Sequence, residues 1–403
     1  MAHVLILGGG FAGLEAAHTL RRLAGDRVRI TVIDRSPRFE FRPSLPWVIT
    51  GQRRPEDTWV PRAPLLEKIG AEFVHDEVQH IDPGKNAVIT RRGRFGYDFL
   101  LIALGGTSPP RRPAGLGGRG WAPLWLDDSV RLQQALERFA GGPVVIAFQP
   151  GSPLTCATYE LVFQLDAFLR RRGLRGRSPL AFVSYEKRPY DIGGAKAGRI
   201  MQKWLDEANV RFFPGTFVQR AADRWVRLAG GASLRSDLLV YVPAYQGAPA
   251  VRAVPRLTDE DGFVVTDRTM RSPAYPNVFA AGDCVAFPGP KTGLMAEQQA
   301  RVAAANIAAA VAAVDAAGGA AVGAAGGAAG GQRRPAEYSS LLGCMLDLGP
   351  GRGLLTWRRP APRHGPARSH AVLPGVLPWL AKLAFEKYFM HVRLGKPLFR
   401  GAP

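Results

Sequence analysis

The chain has 403 residues, 46% of them hydrophobic and 21% charged, which is enough apolar material for two or three packed domains and excludes a disordered polymer. Lys and Arg number 53 against 33 Asp and Glu, a net charge of +20 that suits an anionic partner, either nucleic acid or an acidic membrane surface. Three scattered cysteines, none in a Cys-x-x-Cys or His/Cys cluster, exclude a disulfide-stapled scaffold and a zinc ribbon.

The opening residues carry no basic stretch and no cleavage-type site, which predicts a chain that starts at Met1 and stays cytoplasmic. Val4 to Leu7 reads as a short buried strand. It runs into Gly8-Gly9-Gly10-Phe11-Ala12-Gly13 and then a helical stretch from Leu14 to Leu20. A second buried strand, Val28 to Ile33, ends at Asp34, 21 residues after Gly13. Strand, glycine turn, helix, strand and terminal acid make a βαβ unit that binds a dinucleotide. Gly8 permits the tight turn, Gly10 lets backbone approach a pyrophosphate, and Gly13 lets the helix pack close to the strand. The helix N-terminus offers free N–H groups to phosphate, and Asp34 can accept hydrogen bonds from a ribose.

Phe99 to Gly106 is a further buried strand ending in glycines. Val144 to Phe148 opens what reads as a second βαβ domain, but Gln149-Pro150-Gly151-Ser152-Pro153-Leu154-Thr155-Cys156 follows it. Pro150 and Pro153 remove backbone donors from the turn, and the glycines for close phosphate approach are missing, so a nicotinamide site is not expected there. The turn supplies Cys156 instead, at the start of a helix whose dipole favours thiolate. Glu160 falls one helical turn further on, where it is either a proton carrier for the thiol or flavin or an ordinary solvated helix carboxylate. A late strand, Val278 to Ala281, ends at Gly282-Asp283, with Lys291 and Thr292 just beyond.

The Ala/Gly tract at 316–331 has no periodicity and reads as a connector; the uncharged stretch around it buries too little apolar surface to span a membrane. The last segment, 332–403, carries 12 Lys or Arg against 3 Asp or Glu. It contains Cys344, in Leu342-Gly343-Cys344-Met345-Leu346-Asp347-Leu348-Gly349, read as a loop. Val372 to Leu398 follows and is expected to form one or two short amphipathic helices. There Trp379, Leu380, Leu383, Phe385, Tyr388 and Phe389 give apolar surface, and Lys382, Lys387, Arg393 and Lys396 give cationic anchors.

The N-terminal glycine turn, the Asp98-to-Gly105 strand and the Val278-to-Asp283 strand together resemble the two-dinucleotide-domain flavoprotein disulfide reductases. Cys156 at the degenerate second turn and Cys344 near the C-terminus are similar to the sulfide:quinone oxidoreductase pattern within that superfamily. So are Phe41-Arg42-Pro43-Ser44-Leu45-Pro46-Trp47 and the Ala384-to-Phe389 tail. The resemblance implies an α/β fold with two Rossmann-like dinucleotide-binding domains and a C-terminal membrane-associating amphipathic helical segment. The expected division is 1–110 with 255–315 for FAD, 111–254 for the second Rossmann-like domain, 316–335 for the linker and 336–403 for the C-terminal redox-cysteine and membrane region. It implies FAD contacts at Gly8, Gly10, Gly13, Asp34, Ala103, Gly105, Gly282 and Asp283, with Val78 at the adenine end. Lys291 and Thr292 would meet the pyrimidine edge, and Cys284 would pack beneath the cofactor.

The reaction so implied is sulfide oxidation at a Cys156–Cys344 bridge, with two electrons passing through FAD to quinone. Met345, Phe385 and Phe389 are the candidates for quinone contact. A peripheral, monotopic place on an anionic membrane goes with this reading, and a homo-oligomer is compatible with it. Nucleic acid is not expected, because no helix-turn-helix or aromatic-basic motif appears. Two departures stand out. The family's additional cysteine is absent from Trp121 to Asp128, so FAD would be non-covalent, and the family's histidines are absent from 121–131 and 188–194. The alternatives are a type II NADH:quinone oxidoreductase, a flavocytochrome c sulfide dehydrogenase flavin subunit, and a flavin-binding protein without catalysis.

Overall fold

Strand β1 (Ala2–Leu7) buries Val4, Leu5, Ile6 and Leu7 completely, as a continuous apolar run does at the centre of a parallel sheet. The computed structural model describes residues 1–108, 120–123, 125–152, 154–287, 289–316, 334–359 and 369–397. Of the tract expected as a connector, 316–331, residues 317–331 lie outside the described residues, as does Pro153. The chain divides into two units. The first comprises Met1–Phe39, Val60–Thr107 and Gln246–Ser340; the second comprises Glu40–Trp59, Ser108–Tyr245 and Leu341–Pro403.

In the first unit, β1 is followed by α1 (Phe11–Ala24) and β2 (Val28–Asp34). Five parallel strands run in the order Val278–Ala280, Phe99–Ile102, β1, β2, Glu72–His75, with Ile6 opposite both Val32 and Leu101. Non-sequential neighbours joined through helices give the doubly wound arrangement, with the ligand face at the strands' carboxyl ends. Helix α1 packs on the long helix Gly293–Ala316. A three-stranded antiparallel meander over 78–96 completes the unit's main features.

In the second unit, β3 (Val144–Phe148) is fully buried and precedes α2 (Thr155–Arg171). Its parallel sheet runs Gly120–Trp121, Leu238–Val242, β3, Leu180–Ser184, Val210–Phe213. The C-terminal part belongs to the same core. An antiparallel sheet of β4 (Leu342–Asp347), β5 (Gly353–Arg359) and β6 (Ser369–Gly375) contributes Leu346 and Leu354, with Leu348 just beyond β4, to the cluster holding Val144, Tyr159 and Phe182.

Helix α3 (Val376–Lys387) ends the unit, followed by a π-helical turn, Tyr388–Arg393. Two expectations are corrected here. Cys344 lies on a strand, paired with Thr356, because Leu342, Cys344 and Leu346 alternate inward with period two. Residues 372–375 are strand rather than helix: β6 is an edge strand, where Pro374 is tolerated, and the helix starts after Gly375, whose φ of +119° breaks the ladder.

Candidate functional site

The turn after β1 has the shape its glycines predict. Gly8 has φ +99°, and a Cβ there would sit 2.3 Å from the Ala103 carbonyl oxygen. A Cβ on Gly13 would meet the Gly8 carbonyl oxygen at 1.8 Å, so only glycine lets α1 approach the strand. Gly10 faces open space, with no atom within 4 Å of the Cβ position, at the N-terminus of a 14-residue helix. Gly282, φ +85°, brings its Cβ position to 3.0 Å from Ala12 Cβ, so the late turn lies against the first turn of α1, and its N–H donates to Gln299 Oε1 at 2.7 Å. Gly8, Gly10, Gly13, Ala103 and Gly282 thus converge on one cradle, with Gly105 (φ +69°) and Asp283 in the adjoining turns. A helix N-terminus at a glycine turn with open space beside Gly10 fits the pyrophosphate of a flavin dinucleotide.

Asp34 has local work as well. Its carboxylate accepts the Gly9 N–H at 2.7 Å and the Ser36 N–H at 2.8 Å, and pairs with Arg62 at 3.0 Å. Arg62 also donates to the Gly9 carbonyl at 2.8 Å, bracing the turn from beneath. Lys291 is half-buried over Phe263 and donates to the Val285 carbonyl at 2.7 Å; burial lowers its pKa, with Asp283 and Cys284 opposing. The Thr292 hydroxyl accepts the Met295 N–H at 3.3 Å, at the start of the long helix. Val78 lies on a different sheet, in the meander strand Val78–Asp82. Cys284 is buried, its thiol directed at the Ile102 and Ala281 carbonyls at 3.2 Å, and burial pushes its pKa to about 11.

In the second unit Cys156 and Cys344 form a disulfide across 188 residues of sequence. Cys156 sits in the first turn of α2 and Cys344 in the middle of β4. Glu160, one turn along, is fully buried. Its Oε1 accepts the Asp347 N–H at 2.9 Å, and its carboxylate meets Lys382 Nζ at 3.1 Å. Burial raises Glu160 to about 7 despite Lys382. Asp347 is raised by burial as well, and it accepts the Trp47 indole N–H at 2.8 Å. The segment Phe41–Trp47 is therefore bound to β4 and to α3: Ser44 donates to Glu386 at 2.7 Å, and Arg53, just beyond the segment, pairs with the same carboxylate at 2.8 Å.

Helix α3 turns its polar residues inward and its apolar ones outward. Lys382 and Glu386 are buried, whereas Leu377 is 70% and Leu380 48% exposed, with Val376, Tyr388 and Val392 also open. Lys382 is thus no surface anchor. Lys396 is likewise held by the Glu56 and Trp59 carbonyls, which leaves Lys387 and Arg393 as exposed cations. Phe385 and Phe389 join Phe41 in one aromatic cluster, centroids 5.9 and 4.8 Å from it. Phe389 is buried, Phe385 half-buried, and Met345 half-buried on β4. Lys382, Asp347, Trp47 and Tyr190, which lies 3.6 Å from Cys156 Sγ, escape sequence reasoning as a site, because only the folded chain gathers them. Among the described residues there is no metal-ligand cluster, and no helix is long and apolar enough to cross a membrane.

The turn after β3 does not repeat the first cradle. Gln149 and Ser152 fill it with buried side chains, and Gly151, φ +75°, is its one glycine. The sequence pattern of the pyridine nucleotide-disulphide oxidoreductase family matches residues 2–141 and 181–313. The chain belongs to this family. It is 29% identical to a sulfide-quinone reductase of Aquifex aeolicus, over 96% of this chain and 90% of that protein. The crystal structure of the sulfide:quinone oxidoreductase from Aquifex aeolicus superposes with a TM-score of 0.85 at 28% identity, covering 99% of this chain and 94% of that one. An NADH dehydrogenase-like protein of Mycobacterium tuberculosis is 29% identical over 71% of this chain and 73% of its own length. The chain is accordingly an oxidoreductase with the two Rossmann-type domains expected of it, a flavoprotein similar in sequence and fold to sulfide:quinone oxidoreductases.

Proposed function

We propose that this enzyme oxidises sulfide to sulfane sulfur or polysulfide at the Cys156–Cys344 bridge and delivers two electrons to quinone. The observation that carries this is the bridge itself, built between a degenerate nucleotide turn and a C-terminal strand beside a buried carboxylate of raised pKa. Attack by HS⁻ on one bridge sulfur breaks the S–S bond. That cysteine keeps the new sulfur as a persulfide, and the other leaves with the bonding pair as thiolate. In the net reaction sulfide sulfur loses two electrons, and quinone gains two electrons and two protons. FAD, held non-covalently by the glycine cradle, supplies the two-electron relay when bound. Glu160, at about 7, is set to exchange protons near neutral pH. Phe385 and Met345 are the candidates for the quinone ring.

The experiment is anaerobic mixing of the detergent-solubilised, flavin-loaded protein with sulfide or with NADH, following the visible absorbance of oxidised flavin. Sulfide should bleach it and a soluble quinone restore it. Bleaching by NADH alone would replace this reading with an NADH dehydrogenase, and bleaching by neither would leave a flavin-binding protein without this catalysis.

The outward apolar face of α3, flanked by Lys387 and Arg393, further supports a peripheral place on an anionic membrane. The double substitution Leu377→Glu/Leu380→Glu removes two large apolar side chains from it and should weaken binding to phosphatidylglycerol vesicles about a hundredfold. Unchanged co-sedimentation would show that α3 is not the membrane contact.

A further inference from the structure

Tyr190 lies within the segment 188–194, where the family resemblance leads one to expect a histidine, and it is fully buried. Its hydroxyl is 3.6 Å from Cys156 Sγ and 3.1 Å from Thr356 Oγ1, the residue paired with Cys344 across the sheet. In the bridged protein Cys156 carries no proton, so between this sulfur and the phenol only Tyr190 can donate.

The position is specifically built. Tyr190 takes a left-handed backbone, φ +57°, which a bulky residue adopts only when its surroundings enforce it. Its N–H donates to Tyr159 Oη at 2.7 Å; that hydroxyl donates in turn to Glu186 Oε2 at 2.7 Å, while Glu186 Oε1 accepts the Asp191 N–H at 3.1 Å. A Cβ on Gly193 would come within 2.4 Å of the Tyr190 ring, so the glycine is what admits it. Burial holds the Tyr190 phenol far above its ordinary pKa, so it stays a neutral donor throughout the working range.

We propose that Tyr190 is a catalytic hydrogen-bond donor that stabilises the Cys156 thiolate once the bridge opens. This deepens the sulfide reading and rests on it for its place in turnover. When sulfide attacks Cys344 Sγ, the Cys156–Cys344 bond breaks, an S–S bond forms at Cys344, and Cys156 leaves with the electron pair as thiolate. No other group is oxidised or reduced. A donor on the leaving sulfur lowers its basicity, and a less basic thiolate leaves faster.

The test needs neither sulfide nor quinone. In the flavin-loaded Cys344→Ser protein, the rate of iodoacetamide alkylation at Cys156, read by mass spectrometry of its peptide, is measured against pH. Adding Tyr190→Phe should raise the midpoint by about one unit, the scale of one hydrogen bond to a charged group. The other titratable or charged groups around this pair are Glu160 and Tyr159 on α2, Glu186, Arg188 and Asp191 before Gly193, Arg358 on β5, and His370, whose Nε2 lies 2.7 Å from the Gly193 carbonyl oxygen. All are unchanged between the two proteins.

A superposable profile in the phenylalanine variant would overturn the proposal, because a residue that only fills space leaves the midpoint alone. If that variant does not fold, 3-fluorotyrosine at position 190 keeps the shape and strengthens the donor. The midpoint should then fall, and a midpoint that stays put overturns the proposal equally. If the wild-type protein fails to turn over sulfide while the Cys344→Ser proteins show these shifts, the substrate is refuted and not the donor.

Discussion

Replacing Cys344 with serine is expected to lower the rate of sulfide-dependent flavin bleaching by about three orders of magnitude or more, the loss typical when a covalent nucleophile is removed. The same result is expected for Cys156→Ser. The reason is that neither cysteine works alone. Sulfide needs a disulfide to attack, and serine at either end leaves a lone thiol that cannot accept the sulfur without an external oxidant. The third cysteine cannot take over. Cys284 is buried, belongs to the first unit and has its pKa pushed to about 11, so it is protonated at neutral pH. Both variants should retain flavin, because the glycine cradle is formed within the first unit. Stopped-flow reduction with sulfide, on samples matched for flavin content, is the measurement. A variant retaining more than about a tenth of the wild-type rate would move the chemistry away from the bridge.

How much of this was legible in the sequence depended on the range of the interactions. The first βαβ unit was readable because its constraints are local. Gly8 and Gly13 are excluded from being anything else by backbone atoms a few residues away or on the adjacent strand, and the apolar run Val4 to Leu7 has one stable environment. The loss of a nucleotide turn after Phe148 was readable for the same reason. The C-terminal segment was harder. Residues 372–375 look like the start of an amphipathic helix until β5 offers them a ladder of hydrogen bonds, and Pro374 hides the strand because prolines are poor strand formers except at edges. Cys344 and Cys156 could be named from the chain, but their meeting depends on β4 packing against α2, a contact between segments 188 residues apart.

The polar side of the site was the least legible part. A lysine in an apolar helix reads as a surface anchor, because burying an ammonium is costly unless a partner is waiting. The partner for Lys382 is Glu160, 222 residues earlier, and nothing in either local sequence announces the other. Trp47, likewise, reads as core filler until its indole N–H is found on Asp347. The result is a helix whose charges face in and whose leucines face out. Such an inversion is stable only where the interior pairs the charges.

Lys382→Met is expected to destabilise the protein strongly at alkaline pH and weakly at acidic pH. The sign follows from Glu160. Its ordinary value of 4.5 is raised to about 7 in the folded chain, so between these values the folded state binds the extra proton. That contribution to stability is fully present below pH 4.5 and is lost as pH rises through about 7. Above that point the wild type holds a buried carboxylate against a buried ammonium, and removing the ammonium leaves the anion uncompensated, a loss of about 3–5 kcal/mol. At about pH 5.5 Glu160 can stay protonated and the loss shrinks to that of one hydrogen bond, about 1 kcal/mol. Glu186, also raised to about 7 by burial, contributes a slope of the same sign in every variant and cancels from the comparison. The unfolding temperature at about pH 8 should therefore fall by roughly 6–20 °C, taking about 2–4 °C per kcal/mol for a unit of this size. The shift at about pH 5.5 should be only a few degrees. Adding Glu160→Gln to Lys382→Met removes the stranded charge while its amide oxygen still accepts the Asp347 N–H, so most of the alkaline loss should return. Equal shifts at the two pH values, or a double variant no better than the single one, would show that Glu160 and Lys382 do not act as a buried ion pair.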